Sequence, residues 1–198
     1  MEALEADPQW VADRDRKEAA RQKAAAELGR AEAPLVVELR SRGYRVESVW
    51  DLVNTRDRYP DAIPTLVEHL QRPYPSEIRD GIARALAVRE AKFAHALFVR
   101  LWREEPDQPQ TAKQGLACAV AATALPEHLD EVIDLVRDVR LGPTRGLLLH
   151  VLEKANEPRA WATLMALGTD PDISPEVQHI LKKRQRKQQG RRVPRTNE

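Results

Sequence analysis

Asp80-Gly81-Ile82-Ala83-Arg84-Ala85-Leu86-Ala87 and Gln114-Gly115-Leu116-Ala117-Cys118-Ala119-Val120-Ala121 match in pattern at an offset of 34 residues. Arg145-Gly146-Leu147-Leu148-Leu149-His150-Val151-Leu152 follows after a further 31, and Glu176-Val177-Gln178-His179-Ile180-Leu181 is a looser fourth copy. Upstream of each lies a second set of apolar residues at helical spacing: Ile63/Leu66/Val67/Leu70, Ala94/Leu97/Phe98/Leu101, Leu129/Val132/Ile133/Val136 and Ala160/Leu164/Met165. The unit is a helical hairpin. One hairpin cannot bury its apolar face alone, so a period of 30 to 35 residues predicts stacking into an α-solenoid of about four units.

Composition agrees with an all-α chain. Aromatic residues make up 5% of the 198, there are 8 glycines, and β-branched residues do not alternate, a balance that favours helix over sheet. Pro8, Pro34, Pro60, Pro75, Pro126, Pro143, Pro158 and Pro175 each precede an apolar stretch of helical period. There a missing N–H costs nothing and a fixed φ helps to begin a helix. With 42% hydrophobic residues the chain buries a sizeable core, and no apolar run approaches the length of a membrane span. The N-terminus lacks the order of a secretory signal, and the single Cys118 has no partner, which leads us to expect a cytoplasmic protein.

Four segments are expected. Residues 1–33 form a charged helical arm in which Trp10 and Val11 are the obvious anchors and Asp13/Lys17 and Lys23/Glu27 pair at i,i+4. That arm is either a solvated helix or a dedicated partner helix. Residues 34–58 form a helical cap: Leu35, Val36 and Leu39 line a helix that Gly43 ends, and Ser48-Val49-Trp50-Asp51 reads as a capping arrangement with Trp50 in the core. Residues 59–183 hold the repeats, and 184–198 form a basic disordered tail. Gly81, Gly115 and Gly146 recur in register inside helices, where each costs about 1 kcal/mol relative to alanine. Close approach of successive helices explains them.

Pro64 within Ala62-Ile63-Pro64-Thr65-Leu66-Val67-Glu68-His69-Leu70, then a turn and Ile78-Arg79 leading into Ala83 and Ala85-Leu86, resemble a HEAT repeat. The resemblance covers residues 59–183 and is weaker in the later units, where Lys113 stands in place of Arg79 and Thr144 replaces both. It implies a right-handed, armadillo-type scaffold whose second helices line a concave face.

No catalytic constellation stands out. His69, His95, His128, His150 and His179 are spaced too far apart to share a helix face, and no phosphate-loop, dinucleotide, nucleophile-elbow or zinc-protease motif occurs. No metal or cofactor is expected. In repeat register His150 falls at the small core position of Ala85 and Ala119, which predicts a partly buried histidine. Glu104/Glu105 and Asp170/Asp172 read as helix-end and solvated charges. The formal net charge of +1 hides a split: residues 182–198 carry +7, leaving −6 for residues 1–181. That end either binds an anionic surface such as nucleic acid or solubilises the chain.

The leading expectation is a non-enzymatic scaffold that binds a partner protein along a strip of polar residues on the second helices. The strip comprises Glu77, Arg79, Asp80, Arg84, Lys113, Gln114 and Arg145. The alternative is a nucleic-acid-binding protein working through residues 182–198, in the manner of HEAT-like DNA glycosylases; an enzyme similar to the HEAT-like bilin lyases is a weaker third.

Overall fold

The computed structural model describes residues 8–192 apart from 109, 110 and 156, with backbone alone for Pro8 and for 187–192. Residues 1–7 and 193–198, including the expected cap at Asp7 and the end of the basic tail, lie outside the described residues. Ten α-helices and several 3₁₀ turns make up the fold, and no strand occurs among the described residues. The α-helices are α1 (Pro8–Ser41), α2 (Val49–Asn54), α3 (Ile63–Leu70), α4 (Ser76–Ala85) and α5 (His95–Glu104), followed by α6 (Lys113–Thr123), α7 (Leu129–Arg137), α8 (Leu149–Lys154), α9 (Pro158–Ala166) and α10 (Ser174–Arg192).

Their packing is serial. α2 packs on α4 and α4 on α6; α6 meets the 3₁₀ turn Pro143–Leu148 that leads into α8, and α8 meets α10. α1 lies on α3, and α3, α5, α7 and α9 each pack against the helix that follows them. The apolar residues at helical spacing supply the core: Ile63, Leu66, Phe98, Ile82, Leu116, Val132, Leu152 and Leu164 are all 2% exposed or less. Met165 is an exception at 64% exposed.

The expected boundary at residue 33 is not an element boundary. α1 is one helix of 34 residues with Pro34 inside it, about 51 Å long at 1.5 Å per residue. An interior proline costs about 3 kcal/mol through a lost N–H and a crowded carbonyl. Leu35 and Leu39, both 0% exposed, offset it, since burying each contributes about 1.5–3 kcal/mol. The last turns of the expected arm therefore belong to the folded body: Leu28 and Ala31 pack on the core. Glu32 accepts from the Val49 amide at 2.6 Å and from the Ser48 hydroxyl at 3.0 Å, closing the N-terminus of α2. At its other end α1 stops as expected at Gly43, φ +93°. The Tyr44 amide donates to the Leu39 carbonyl and the Gly43 amide to that of Arg40, the paired bonds of a Schellman ending.

The expected cap on α2 is present. The Trp50 amide donates to Ser48 Oγ, and Asp51 Oδ2 accepts from the Glu47 and Ser48 amides, bonds that hold the Asp51 carboxyl below its usual range. Trp50 itself is 38% exposed rather than buried; Val49 and Leu52 fill the core, and the Trp50 ring covers Gly81.

The third unit departs from the others. Residues 143–148 form a 3₁₀ turn and α8 begins only at Leu149. A 3₁₀ segment advances 120° per residue against 100° in an α-helix, so the register slips. Leu148, Leu149 and Leu152 are buried while His150 is exposed, its Nδ1 2.7 Å from the Leu147 carbonyl oxygen. The expected burial of His150 is thereby overturned.

The glycines meet different neighbours. A Cβ on Gly81 would lie 2.7 Å from Val49 Cγ1, and one on Gly115 would lie 2.6 Å from the Asp80 carbonyl oxygen and 3.1 Å from Ala83 Cβ. Both face the preceding second helix, whereas Gly146 faces Ile173 of the following unit at 3.2 Å. Gly29 of α1 has no neighbour within 4 Å of a built Cβ. The same substitution should therefore act with opposite sign at two sites. Gly115→Ala is expected to destabilise by about 1–3 kcal/mol through overpacking against backbone, whereas Gly29→Ala is expected to stabilise by about 0.5–1 kcal/mol; urea unfolding of the two variants checks both signs.

Candidate functional site

The seven residues of the expected strip divide by burial. Arg145 is 0% and Lys113 4% exposed. Lys113 Nζ donates to the Trp102 carbonyl at 2.9 Å and to that of Glu105 at 2.7 Å. Burial pulls the ammonium below its usual range, opposed by the carboxylates of Asp107, Glu105 and Asp138. Arg145 donates to the Val136 carbonyl, to both oxygens of Asp170 at 2.9 and 2.7 Å and to Asp172 at 3.0 Å. Arg79, largely covered, reaches Glu105 Oε2 at 2.7 Å. Arg79 and Arg145 reach carboxylates of the segment that follows and Lys113 closes the end of α5, so all three leave the binding strip. Their acceptors correct a second expectation, because Glu105 and Asp170 are internal counterions rather than solvated helix ends.

A signal for this was present in the spacing. Arg79 meets a carboxylate 26 residues on and Arg145 one 25 residues on, and Asp138, in the field of Lys113, follows it by 25. The alignment by glycines paired Arg145 with Asp80 and Gln114; the 3₁₀ turn moves it instead into the role of Arg79 and Lys113.

Glu77, Asp80, Arg84 and Gln114 remain at the surface, the last three bonded together. Asp80 Oδ2 accepts from Arg84 Nε at 2.7 Å, Arg84 Nη2 donates to Gln114 Oε1 at 2.9 Å, and Asp80 Oδ1 accepts from the Gly115 amide at 2.8 Å. Asp80 thus joins α4 to α6 through the close approach that Gly115 permits. Cys118, half-buried nearby, is a free thiol raised above its usual range by burial.

Tertiary structure brings together two histidines that the sequence keeps 33 residues apart. His95, at the start of α5 and 3% exposed, stacks on His128 with centroids 4.1 Å apart and planes within 1°. Thr123 Oγ1 donates to the Ala119 carbonyl at 2.7 Å and accepts from His95 Nδ1 at 2.9 Å. His95 Nε2 is buried without a hydrogen bond, 3.3 Å from Glu131 Oε2. Parallel stacked rings aim their in-plane lone pairs side by side rather than at one point, and among the described residues no three His, Cys, Asp or Glu side chains gather as metal ligands. A second buried histidine, His69, joins Glu38 of α1 at 3.0 Å to Tyr74 at 2.8 Å.

A groove of about 830 Å³ runs across the C-terminal ends of α4, α6 and α8. Ala87, Val88, Ala122, Leu125, Val151 and Ala155 give it an apolar lining, with Arg89, His150 and Lys154 at its edges. Its two carboxylates are engaged elsewhere, Glu90 by Arg58 at 2.6 Å and Glu157 by Arg159 at 2.8 Å. Sequence reasoning missed this groove because small alanines near helix ends carry no distinctive pattern. No protein-family model matches the chain, and neither a curated protein nor a solved structure does. Among the described residues no helix is long and apolar enough to cross a membrane.

Two outcomes follow from these contacts. Arg145→Met strands Asp170 without its buried counterion and should cost about 3 kcal/mol, whereas Arg84→Gln, at a partly exposed pair, should cost under about 1 kcal/mol; calorimetric melting separates them. Burial and the adjacent His128 ring hold His95 below the usual imidazole range, with Glu131 pulling the other way. The unfolded chain then binds the proton first, so stability is full above about pH 6.5 and is lost as pH falls below it, by roughly 1 kcal/mol per pH unit. Urea midpoints at pH 7.5 and 5.5 should show this loss for the native chain and a smaller one for His95→Gln.

Proposed function

We propose that this chain is a right-handed α-solenoid of about four HEAT-like hairpins closed at one end by α1 and α2, and that it is a non-enzymatic scaffold for a partner protein. The serial packing of α2, α4, α6, α8 and α10, with α3, α5, α7 and α9 each backing the helix that follows, supports the architecture. So does the recurrence of a covered cation, Arg79, Lys113 and Arg145, at the start of three successive second helices or their lead-in turns.

The observation that carries the binding mode is the open groove across the ends of three successive units. Each unit contributes small side chains to the floor, so an extended segment can lie close to the backbone. Arg89 and Lys154 stand at its rim without an ion pair among the described residues. The occupant that fits is a partner segment with small apolar side chains flanked by carboxylates, in which charge sets orientation and on-rate while apolar contacts carry most of the affinity. The site is displaced from the expected strip toward the helix C-termini, and none of the seven strip residues lines it.

The test is affinity capture with native chain, Ala122→Arg and Val151→Asp side by side, followed by calorimetric titration of the recovered partner. Loss of binding by at least about tenfold in both variants, with thermal midpoints within a few degrees of native, is the expected result. A partner that binds all three equally places the interface elsewhere.

A further inference from the structure

α1 and α10 are both long polar helices, and they treat their charge differently. Residues 8–33 of α1 carry six cations and five acids, and several pair along the helix: Arg14 with Asp15, Arg16 with Asp13, Arg21 with Glu18. From Lys182 to Arg192, α10 carries seven cations and no acid. The tail expected to be disordered from residue 184 is helical in backbone as far as Arg192. At helical spacing Lys182/Arg186, Lys183/Lys187 and Lys187/Arg191 are i,i+4 pairs of like charge, and each opposes the helix. The helix dipole favours cations only in the last turn, so it does not account for Lys182 to Lys187.

The packed part of α10 ends early. Val177 and Ile180 are buried and Leu181 packs against the core. Lys183 bonds Glu153 at 2.7 Å, and the Arg184 guanidinium lies 3.4 Å over the Trp161 ring. Beyond that stack Gln185 and Arg186 are exposed, and the helical backbone continues for about 12 Å to Arg192. Nothing apolar follows Leu181 on α10.

We propose that this overhanging end of α10 is a binding site for double-stranded nucleic acid, held through its phosphates. Seven cations in eleven residues span about 16 Å of helix axis, close in density to a duplex, which carries one negative charge per about 1.7 Å. A single helix about 10–12 Å across matches a major groove about 12 Å wide. The absence of apolar residues beyond Leu181 argues against a membrane surface, which an interfacial helix meets with an apolar face. Single strands are recognised by stacking bases on aromatic rings, and the nearest ring, Trp161, is already covered by Arg184. The body, at −6 over residues 1–181, repels the duplex and confines contact to the overhang. This site is separate from the groove across α4, α6 and α8, and neither depends on the other.

The test uses the full chain and fluorescence anisotropy with labelled DNA and RNA duplexes of about 20 base pairs, from about 50 to 200 mM salt. The comparison is the Arg186→Gln/Lys187→Gln/Arg191→Gln/Arg192→Gln variant, which spares the Lys183 and Arg184 contacts and should keep the native thermal midpoint. The expected result is sequence-independent binding that weakens with salt, with a slope of log K against log salt shallower in the variant by up to about 3.6. No binding at the lowest salt overturns the proposal, as does an unchanged slope in the variant. Tighter binding to polyglutamate overturns it in favour of an acidic protein, and tighter binding to anionic vesicles overturns it in favour of a membrane.

Discussion

The fold depends on covered cations that reach the end of a preceding helix or the carboxylates of a following segment. Arg145 is the fullest case: fully covered, it satisfies the Val136 carbonyl at the end of α7 and two carboxylates of the following unit. Lys113 does the same work with carbonyls alone, closing the end of α5 through Trp102 and Glu105. Buried charge is tolerated only when it is paired and hydrogen-bonded, a condition these cations meet except at Arg145 Nε, which is buried without a partner among the described residues, so each cation fixes where the chain turns after the preceding helix. Apolar stacking supplies the driving force, but it is non-directional. The cations, together with the glycine contacts at 81 and 115, specify the spacing of the packed helices.

That constraint explains why the presumed binding strip dissolves. Lys113 at the start of α6 and Arg145 in the turn before α8 look solvent-facing on a helical wheel, yet they lie against the ends of α5 and α7. A long flexible cation there finds unpaired carbonyls and a carboxylate within reach. Of the four that remain at the surface, Asp80, Arg84 and Gln114 form a bonded set whose innermost member accepts from the Gly115 amide. The more open surface lies farther along the helices, where alanines replace larger residues and leave a groove.

The two polar helices show how position decides the meaning of charge. α1 balances its charges internally and gives its final turns to the core through Leu35 and Leu39, tolerating Pro34 on the way. α10 gives its first half to the core through Val177 and Ile180 and extends a half that lacks acids. Both were visible as charge patterns, but only packing shows where each helix leaves the body.

The sequence by itself determined the all-α class, the buried faces of α3, α4, α6 and α7, the Schellman ending at Gly43 and the cap at Ser48. These are local or periodic properties, fixed by dihedral preference and by apolar spacing. Tertiary structure alone decided the rest: the continuity of α1 through Pro34, the 3₁₀ turn that rotates Arg145 inward and His150 outward, the pairing of His95 with His128, and the groove. Each depends on a balance between a local cost and contacts made by residues 25 or more positions away. Such a balance is settled only when the helices are packed.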